Sequence, residues 1–339
     1  MTLDIQPLDP ELAPERQLVE YHAMRAAAVA VDFPEDPPLT YRAAIGRLRT
    51  PPVEEGPCRF WVGTLDGRLA GSVRLALPEG TNDAIAHVEV HVHPEQRRRG
   101  LGTALLRAVL PAVLASGRPT VLGHPMKPDS AGAVWTAGLG FEVTHSMVMQ
   151  VLDLAATPAR RWELPGPAGY RLAHWTGAAP DELLDSYAVA REAVQDAPLG
   201  RSSYRPISWT PARVRENERE LADAGAEQRV AVAVEDGTDR IAGVHVVHFY
   251  PHRPEIGYVH DTSVLAEHRG HGLGAAMKAG LTRRLRAERP DAERICTTTT
   301  TTNRWMIDIN HGLGYRTART MNWVETPAER LAERLAELT

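Results

Sequence analysis

The order of apolar and polar positions in the first half of the chain predicts an α/β domain. Apolar residues recur at helical spacing near 11–31 and 40–49, and apolar runs typical of strands follow at 59–65 and 69–77. Asp66-Gly67, between these two runs, is a strong signal for a hairpin turn. Further strands are predicted at 85–92, 120–123 and 141–152, and further helices at 100–115 and 130–138.

The second half shows the same order of elements. Helices are predicted near 179–193, 210–224, 272–288 and 303–313, and strands at 170–175, 228–234, 240–249, 256–264, 293–299 and 315–325. Helices come early in each half, a meander of strands follows, and two late helices separate the last strands. This order predicts, in each half, a mixed and mostly antiparallel twisted sheet that is flanked by helices.

Three short motifs occur twice, in the same order. LDGRLAGSVRL, VHPEQRRRGLGTAL and GLGFEV begin at residues 65, 92 and 138, and are matched by EDGTDRIAGVHVV, VLAEHRGHGLGAAM and GLGYRT at 235, 264 and 312. Gly71 and Gly243 of the first pair are 172 positions apart, as are the starts of the second pair, and the starts of the third pair are 174 positions apart. The chain therefore contains one fold twice. Prolines and glycines break the pattern at 156–169, which predicts domains at 1–155 and 170–339 with a linker between them.

The composition narrows the class of protein. A hydrophobic content of 43% and a charged content of 24% are ordinary for a globular protein, and a net charge of −5 gives no footprint for general nucleic-acid binding. Cys58 and Cys296 suggest no disulfide framework, and the chain has neither a signal-peptide pattern nor an apolar run of about 18 residues. We expect a cytoplasmic protein with no nucleic-acid or membrane partner.

A glycine-rich loop opens a helix in both copies. Arg97, Gly100 and Gly102 correspond to Arg269, Gly272 and Gly274. Glycines let backbone N–H groups approach a ligand, and the first N–H groups of a helix lack partners and carry partial positive charge. Neither copy has the G-K-[ST] ending of a P-loop or the third glycine of a dinucleotide-binding loop. The loops predict binding of a polyphosphate at a helix N-terminus.

The run V-H-P-E-Q-R-R-R-G-L-G, with a later G-L-G-F, resembles the GNAT N-acetyltransferase superfamily. The resemblance covers essentially the whole chain as a tandem pair, a layout similar to that of the actinobacterial mycothiol synthases. It implies that the loop holds the pyrophosphate of acetyl-CoA and that the splayed strand before it pairs with the pantetheine arm. The residues so implied in the first copy are Val90, His91, Val92, Arg97, Arg98, Arg99, Gly100, Leu101, Gly102 and Thr103. Those in the second copy are Thr262, Ser263, Val264, Arg269, Gly270, His271, Gly272, Leu273, Gly274 and Ala275.

The second copy departs from the family pattern. Ala266 stands where the first copy has Pro94, and Gly270 replaces an arginine. The second loop is therefore less cationic, although His268 and His271 offset part of the loss. These departures favour the first copy as the tighter and working site.

Acetyl transfer to an amine needs a group that accepts a proton, because an amine with a pKa near 10 is mostly protonated at pH 7. Glu89 and Asp261 occupy equivalent positions just before the two loops. The resemblance implies a catalytic base here. The alternative is a carboxylate that binds an arginine or the ammonium group of the substrate.

Two further features bear on the chemistry. Where this superfamily often has a tyrosine that protonates the CoA thiolate, the chain has Thr136 and Asn310, neither of which is a convincing acid. His87, Glu89, His91 and His93 alternate on one strand face in a spacing that could ligate a metal. The second copy has no such histidines at the aligned positions, so we expect no metal and assign them to polar lining of the acceptor pocket.

These features predict an acyltransferase that moves the acetyl group of acetyl-CoA to a primary amine of a small metabolite. One alternative is a non-catalytic acyl-CoA-binding or regulatory module, which the absent tyrosines favour. Another is a chain in which one domain is catalytic and the other only structural. A third is aminoacyl transfer from tRNA, against which the acidic balance and the two CoA-type loops argue.

Overall fold

The computed structural model describes residues 2–338, which fold into two compact units. The N-terminal unit comprises the residues up to Ser146, the segment Leu199–Arg205 and the residues from Thr320 onward. The C-terminal unit comprises Met147–Pro198 and Pro206–Arg319. These units differ from the predicted domains, which were separated by a linker at 156–169. The residues from Thr320 onward fold with the N-terminal unit and not with the second half of the chain.

The N-terminal unit is a mixed sheet between helices. Its elements are β1 (Leu3–Leu8), α1 (Glu15–Asp32), α2 (Tyr41–Arg49), β2 (Cys58–Leu65), β3 (Arg68–Ala76), β4 (Ile85–Val92), α3 (Leu101–Ala115), β5 (Thr120–Met126) and α4 (Ala131–Gly138). The strands β1 to β5 are neighbours in that order, and all pair antiparallel except β4 with β5, which are parallel. The late residues of β12 (Arg316–Pro327) pair antiparallel with β5, and α9 (Ala328–Glu337) follows them.

The C-terminal unit repeats this plan. Its elements are β7 (Tyr170–Thr176), α5 (Leu184–Glu192), α6 (Pro211–Asp223), β8 (Glu227–Glu235), β9 (Ile241–Tyr250), β10 (Arg253–Val264), α7 (Leu273–Glu288), β11 (Arg294–Thr300) and α8 (Arg304–Gly312). Strands β7 to β11 are neighbours in that order, with β10 and β11 parallel and the other pairs antiparallel. The late residues of β6 (Glu142–Asp153) pair antiparallel with β11.

Each sheet has an apolar core on both faces. In the N-terminal unit, α3 packs on one face through residues such as Leu105 and Val109, while α1 and α2 pack on the other through residues such as Leu18 and Leu48. The C-terminal unit has the same two layers, with α7 on one face and α5 and α6 on the other. The predicted α/β class, with a mixed and mostly antiparallel sheet flanked by helices, is confirmed in both units.

Local signals account for several element ends. Asp66 and Gly67 both have positive φ, as a two-residue type I′ hairpin turn requires, so the predicted turn between β2 and β3 is present. Thr40 and Ser130 cap α2 and α4 by accepting a hydrogen bond from the backbone N–H three residues later. Strand β1 and helix α9 were not predicted from the apolar pattern.

Candidate active site

The two parallel strands beside each glycine-rich loop separate before they end. Strand β4 pairs with β5 only from Ile85 to Val88, although β4 continues to Val92 and β5 to Met126. In the C-terminal unit, β10 pairs with β11 only from Ile256 to Tyr258 and then continues to Val264. The divergence leaves backbone groups of β4 and β10 without a strand partner on that side.

The loop after each diverging strand ends in a left-handed glycine. Gly100 and Gly272 have φ of 79° and 73°, and each is the N-cap of the following helix. A side chain there would strain the backbone, which explains the glycine. The helix that follows presents its first N–H groups toward the loop, where an anion is stabilised by the helix dipole.

The first arginine of each loop braces it. Arg97 donates to the carbonyl of Val92 and, through Nη1 and Nη2, to both carboxylate oxygens of Asp32 at 2.8 and 2.7 Å. Arg269 repeats this with the carbonyl of Val264 and with Asp196. The charge of this arginine is therefore already paired, and the free charge in the N-terminal loop comes from the arginines that follow.

A cavity of about 470 Å³ occupies the gap between β4 and β5 and extends to the N-terminus of α3. We call it the N-terminal cleft. Nine of the ten residues that the family resemblance implied for the first acetyl-CoA site line the N-terminal cleft, and Arg99 does not. Its walls are mainly apolar, and Trp135 of α4 donates from Nε1 to the hydroxyl of Thr103 at 3.2 Å.

Glu89 is the first residue of β4 beyond its pairing with β5, and it is buried among cations. Arg25 approaches one carboxylate oxygen at 3.2 Å, Arg74 approaches the other at 2.9 Å, and His91 Nε2 contacts the first. Burial alone would raise the pKa of Glu89, but His124, Arg74 and His91 hold it well below its usual range. The carboxylate is therefore charged at neutral pH, and it is bound to arginines.

The histidines around Glu89 are neutral at physiological pH. Burial, with a contribution from Arg25, lowers the pKa of His91, and burial lowers the pKa of His124 to about 3. His87 is buried on the same strand, and its pKa also lies well below the usual value because of burial. Two arginines against Glu89 oppose a metal cation at this position.

A second and smaller cavity, about 50 Å³, lies on the other side of Glu89. We call it the small pocket. Its wall includes the guanidinium-bearing residues Arg25, Arg47 and Arg74, and His91 lines both this pocket and the N-terminal cleft. The Glu89–His91 pair thus stands between a cleft of cofactor size and a pocket that a small polar group could enter.

The aligned carboxylate of the C-terminal unit, Asp261, is also bound to a buried arginine. Arg191 reaches one oxygen of Asp261 with Nε at 3.1 Å and Nη2 at 2.5 Å, and its guanidinium stacks on Trp209. Burial would raise the pKa of Asp261, but His260 and Arg191 lower it far below its usual range. Arg191 is itself 1% exposed, so an internal cation is bound to one oxygen of this carboxylate.

Thr136 and Asn310 stand where this superfamily often has a tyrosine that protonates the CoA thiolate, and neither is positioned to act as an acid. The Thr136 hydroxyl donates to the carbonyl of Gly132 at 3.0 Å, and the Asn310 amide donates to Gln150 at 2.8 Å. Both side chains are buried and serve the packing of α4 and α8. Among residues 2–338, no helix is long and apolar enough to cross a membrane.

Comparison with known proteins agrees with the repeated fold and the loops. The model of the Acetyltransferase (GNAT) family matches residues 21–134 and 197–315. A mycothiol acetyltransferase from Nocardia farcinica is 30% identical over 236 residues, which are 67% of this chain and 70% of that protein. One from Mycolicibacterium vanbaalenii is 28% identical over 224 residues, 65% of each.

Solved structures show the same tandem arrangement. A tandem GNAT protein from the clavulanic acid biosynthesis pathway has a TM-score of 0.78 and 25% identity, over 96% of this chain and 99% of that one. A GCN5-related N-acetyltransferase from Sphaerobacter thermophilus, 16% identical with a TM-score of 0.69, shares the fold over 96% of each chain. The chain belongs to the GNAT acetyltransferase family. It is a tandem member, an acyltransferase whose acyl donor is acetyl-CoA.

Proposed function

We propose that the N-terminal unit transfers the acetyl group of acetyl-CoA to a primary amine of a small molecule by direct attack. The supporting observation is the position of His91 and Glu89 between the N-terminal cleft and the small pocket. Acetyl-CoA enters from the cleft, and the amine approaches from the opposite side of β4.

The donor is held by backbone groups. The pyrophosphate takes the free N–H groups at the start of α3, and Arg98, which lines the cleft beside Gly100, adds charge. The pantetheine arm pairs with the unpartnered edge of β4 at Val90–Val92, where the strand has left β5. This arrangement places the thioester near Glu89 at the point of divergence.

The Glu89–His91 pair takes up the proton of the amine. The amine attacks in its neutral form, having lost its ammonium proton to solvent. A new C–N bond forms as the C–S bond breaks, the one proton that the nitrogen then loses passes to the pair, and CoA leaves as a thiolate. Neutral His91 can accept this proton directly or through water, and charged Glu89 stabilises the imidazolium that forms. A thiolate with a pKa near 8.5 needs little assistance in leaving, so the lack of an acid at Thr136 is tolerated.

The C-terminal carboxylate has another role in this proposal. Asp261 binds Arg191, and we assign it to holding this arginine and not to taking up the proton of the amine, because no neutral histidine between two cavities accompanies it as His91 accompanies Glu89 in the part of the chain described. The C-terminal unit is therefore not the site of acetyl transfer.

A panel of amines with acetyl-CoA, read by thiol release, tests the proposal. The panel contains amino acids, polyamines, antibiotic-like amines and the amine acetylated by the mycothiol acetyltransferases that are relatives of this chain. We expect release that depends on one class of acceptor and is lost in Glu89→Gln. Acetyl-CoA binding with no acceptor-dependent release across the panel would contradict the proposal and favour a binding module.

A further inference from the structure

The small pocket of the N-terminal unit carries more positive than negative charge. Among the described residues, its wall contains the guanidinium groups of Arg25, Arg47 and Arg74 and one carboxylate, that of Glu89. Glu55 is bound to both Arg47 and Arg74 and brings a second negative charge to this group of side chains. Three cations against two carboxylates leave one positive charge without a counterion.

Two of the three guanidinium groups have unused N–H donors. Arg47 reaches Glu55 at 3.1 Å through Nη2, and no other residue within 2–338 accepts a hydrogen bond from its side chain. Arg25 reaches Glu89 at 3.2 Å through Nη1, and its other nitrogens have no acceptor in the same part of the chain. A planar guanidinium with free N–H groups binds a carboxylate through two donors at once.

Two buried hydroxyl groups in the same wall also have no partner. Tyr21 and Ser72 are 8% and 6% exposed, and neither hydroxyl forms a hydrogen bond with any described residue. Burial raises the pKa of Tyr21, so the phenol keeps its proton and can donate it in a hydrogen bond. Because buried polar groups in folded proteins nearly always have partners, unpartnered donors around a cavity indicate a ligand that accepts hydrogen bonds.

The size of the small pocket matches a carboxylate. Its volume of about 50 Å³ is that of about three to five water molecules at roughly 10–15 Å³ each, and a carboxylate has three heavy atoms. The apolar side chains of Leu39, Leu48 and Phe60 also line the pocket, so a short hydrocarbon portion beside the charged group has a surface on which to pack. The pocket therefore suits a small anion attached to carbon.

We propose that the acceptor amine is an amino acid, whose carboxylate binds to Arg25 and Arg47 in the small pocket while its amine faces His91. This inference rests on the proposed function and names its class of acceptor. The carboxylate supplies the negative charge that the pocket lacks, and it accepts hydrogen bonds from Tyr21 and Ser72. A polyamine would instead bring further positive charge to a pocket that already has an excess.

Binding to the full chain tests the inference without turnover. The chain is saturated with CoA, which has no acetyl group to transfer, and is titrated by calorimetry with the common amino acids and β-alanine, each paired with its carboxamide. We expect at least one amino acid to bind about 10- to 100-fold more tightly than its carboxamide, since hydrogen bonds to charged groups contribute on that scale. Equal binding of every acid and its carboxamide, or no binding of either, would overturn the inference.

Arg47→Met should remove the preference for the acid. The matched control is Arg49→Met, which loses the same charge from the same helix α2 at an exposed position outside the pocket and should keep the preference. Acetyl-CoA titration checks that Arg47→Met is folded, and Arg47→Lys, which keeps the charge but not the two parallel donors, should lose part of the preference. A preference that survives Arg47→Met would assign the carboxylate to another place.

Turnover of the same pairs separates this inference from the proposed function. Thiol release from acetyl-CoA at equal rates with acids, carboxamides and polyamines would overturn the inference and leave the proposed function standing. Tight binding of amino acids without any release would support the carboxylate site and contradict the proposed function. Phosphoethanolamine tests the other source of negative charge, and binding tighter than that of any amino acid would replace the carboxylate with a phosphate and overturn the assignment.

Discussion

At the scale of single residues, the carboxylate at the proposed site of acetyl transfer is already paired with arginines. Glu89 resembles a base by its position, but Arg25 and Arg74 bind it and keep its pKa low. A carboxylate with so low a pKa is a weak base by itself. Glu89 contributes through its contact with His91, whose neutral imidazole lines both cavities and can accept the proton.

Replacing Glu89 tests this pairing. In Glu89→Gln we expect kcat to fall by about 10²- to 10⁴-fold while the KM for acetyl-CoA barely changes. Glu89 raises the pKa of His91, so its loss should also move the acidic limb of the kcat/KM profile to lower pH. His91→Gln should give a similar loss, and the double variant should be no worse than either single one.

The control for this experiment is Asp261→Asn, which should have little effect on turnover because Arg191 occupies that carboxylate. Loss of turnover in Asp261→Asn with normal turnover in Glu89→Gln would place the chemistry in the C-terminal unit. If Glu89→Gln mainly raises the KM of the acceptor, Glu89 binds the ammonium group and does not assist proton transfer.

Lys278 of α7 is fully buried in the C-terminal unit, and its amine makes a separate prediction about stability. Its pKa is about 7 in the folded chain, against a usual 10.5. Between these values the unfolded chain binds more protons, so the free energy of unfolding should rise with pH from 7 toward 10. Relative to Lys278→Met, the wild type should gain about 2 kcal/mol between pH 7 and pH 9. Denaturant unfolding at both pH values measures this, and a difference that does not change with pH would show that the amine is solvated.

At the scale of elements, the strand–loop–helix unit was predictable because its signals are local. The glycine pattern, the charge run and the helix that follows Gly100 all lie within a few residues, and the structure has the turn and the helix at the predicted place. The repeat added the second copy at Gly272. The bracing role of Arg97 could not be predicted, because its partner Asp32 is 65 residues away at the end of α1.

The partners of Glu89 were hidden from pattern analysis for the same reason. Arg25 comes from α1 and Arg74 from β3, and nothing in their local sequence separates them from surface arginines. In contrast, α9 carries a clear local signal, since AERLAERLAE places Leu331 and Leu335 on one face.

At the scale of the whole molecule, the sequential division into two halves differs from the observed units at the last strand. Residues 322–327 of β12 pair with β5, and α9 packs against α3 through the core that includes Leu331 and Leu335. The N-terminal unit is therefore completed by the end of the chain. Periodicity predicts a strand at 315–325 but carries no information about which strand it pairs with.

A truncation tests whether the N-terminal unit needs the residues from Thr320 onward. A chain that stops at Arg319 should lose the N-terminal unit, because β5 loses its antiparallel partner and the core loses α9. We expect proteolysis to degrade residues before Ser146 and to spare the C-terminal unit. Equal resistance of both units would show that residues 320–338 are dispensable.

We propose that the loop at Gly100, and not the one at Gly272, serves acetyl transfer. Gly100→Asp and Gly272→Asp are a matched pair, because each puts a negative charge where a pyrophosphate would bind and a Cβ at either position meets no atom within 4 Å. Acetyl-CoA titration of both variants, with turnover measured on the same samples, distinguishes the two loops. We predict that Gly100→Asp loses the tight acetyl-CoA site and turnover while Gly272→Asp keeps both. Loss of turnover in Gly272→Asp, with full activity in Gly100→Asp, would show that the C-terminal loop serves acetyl transfer.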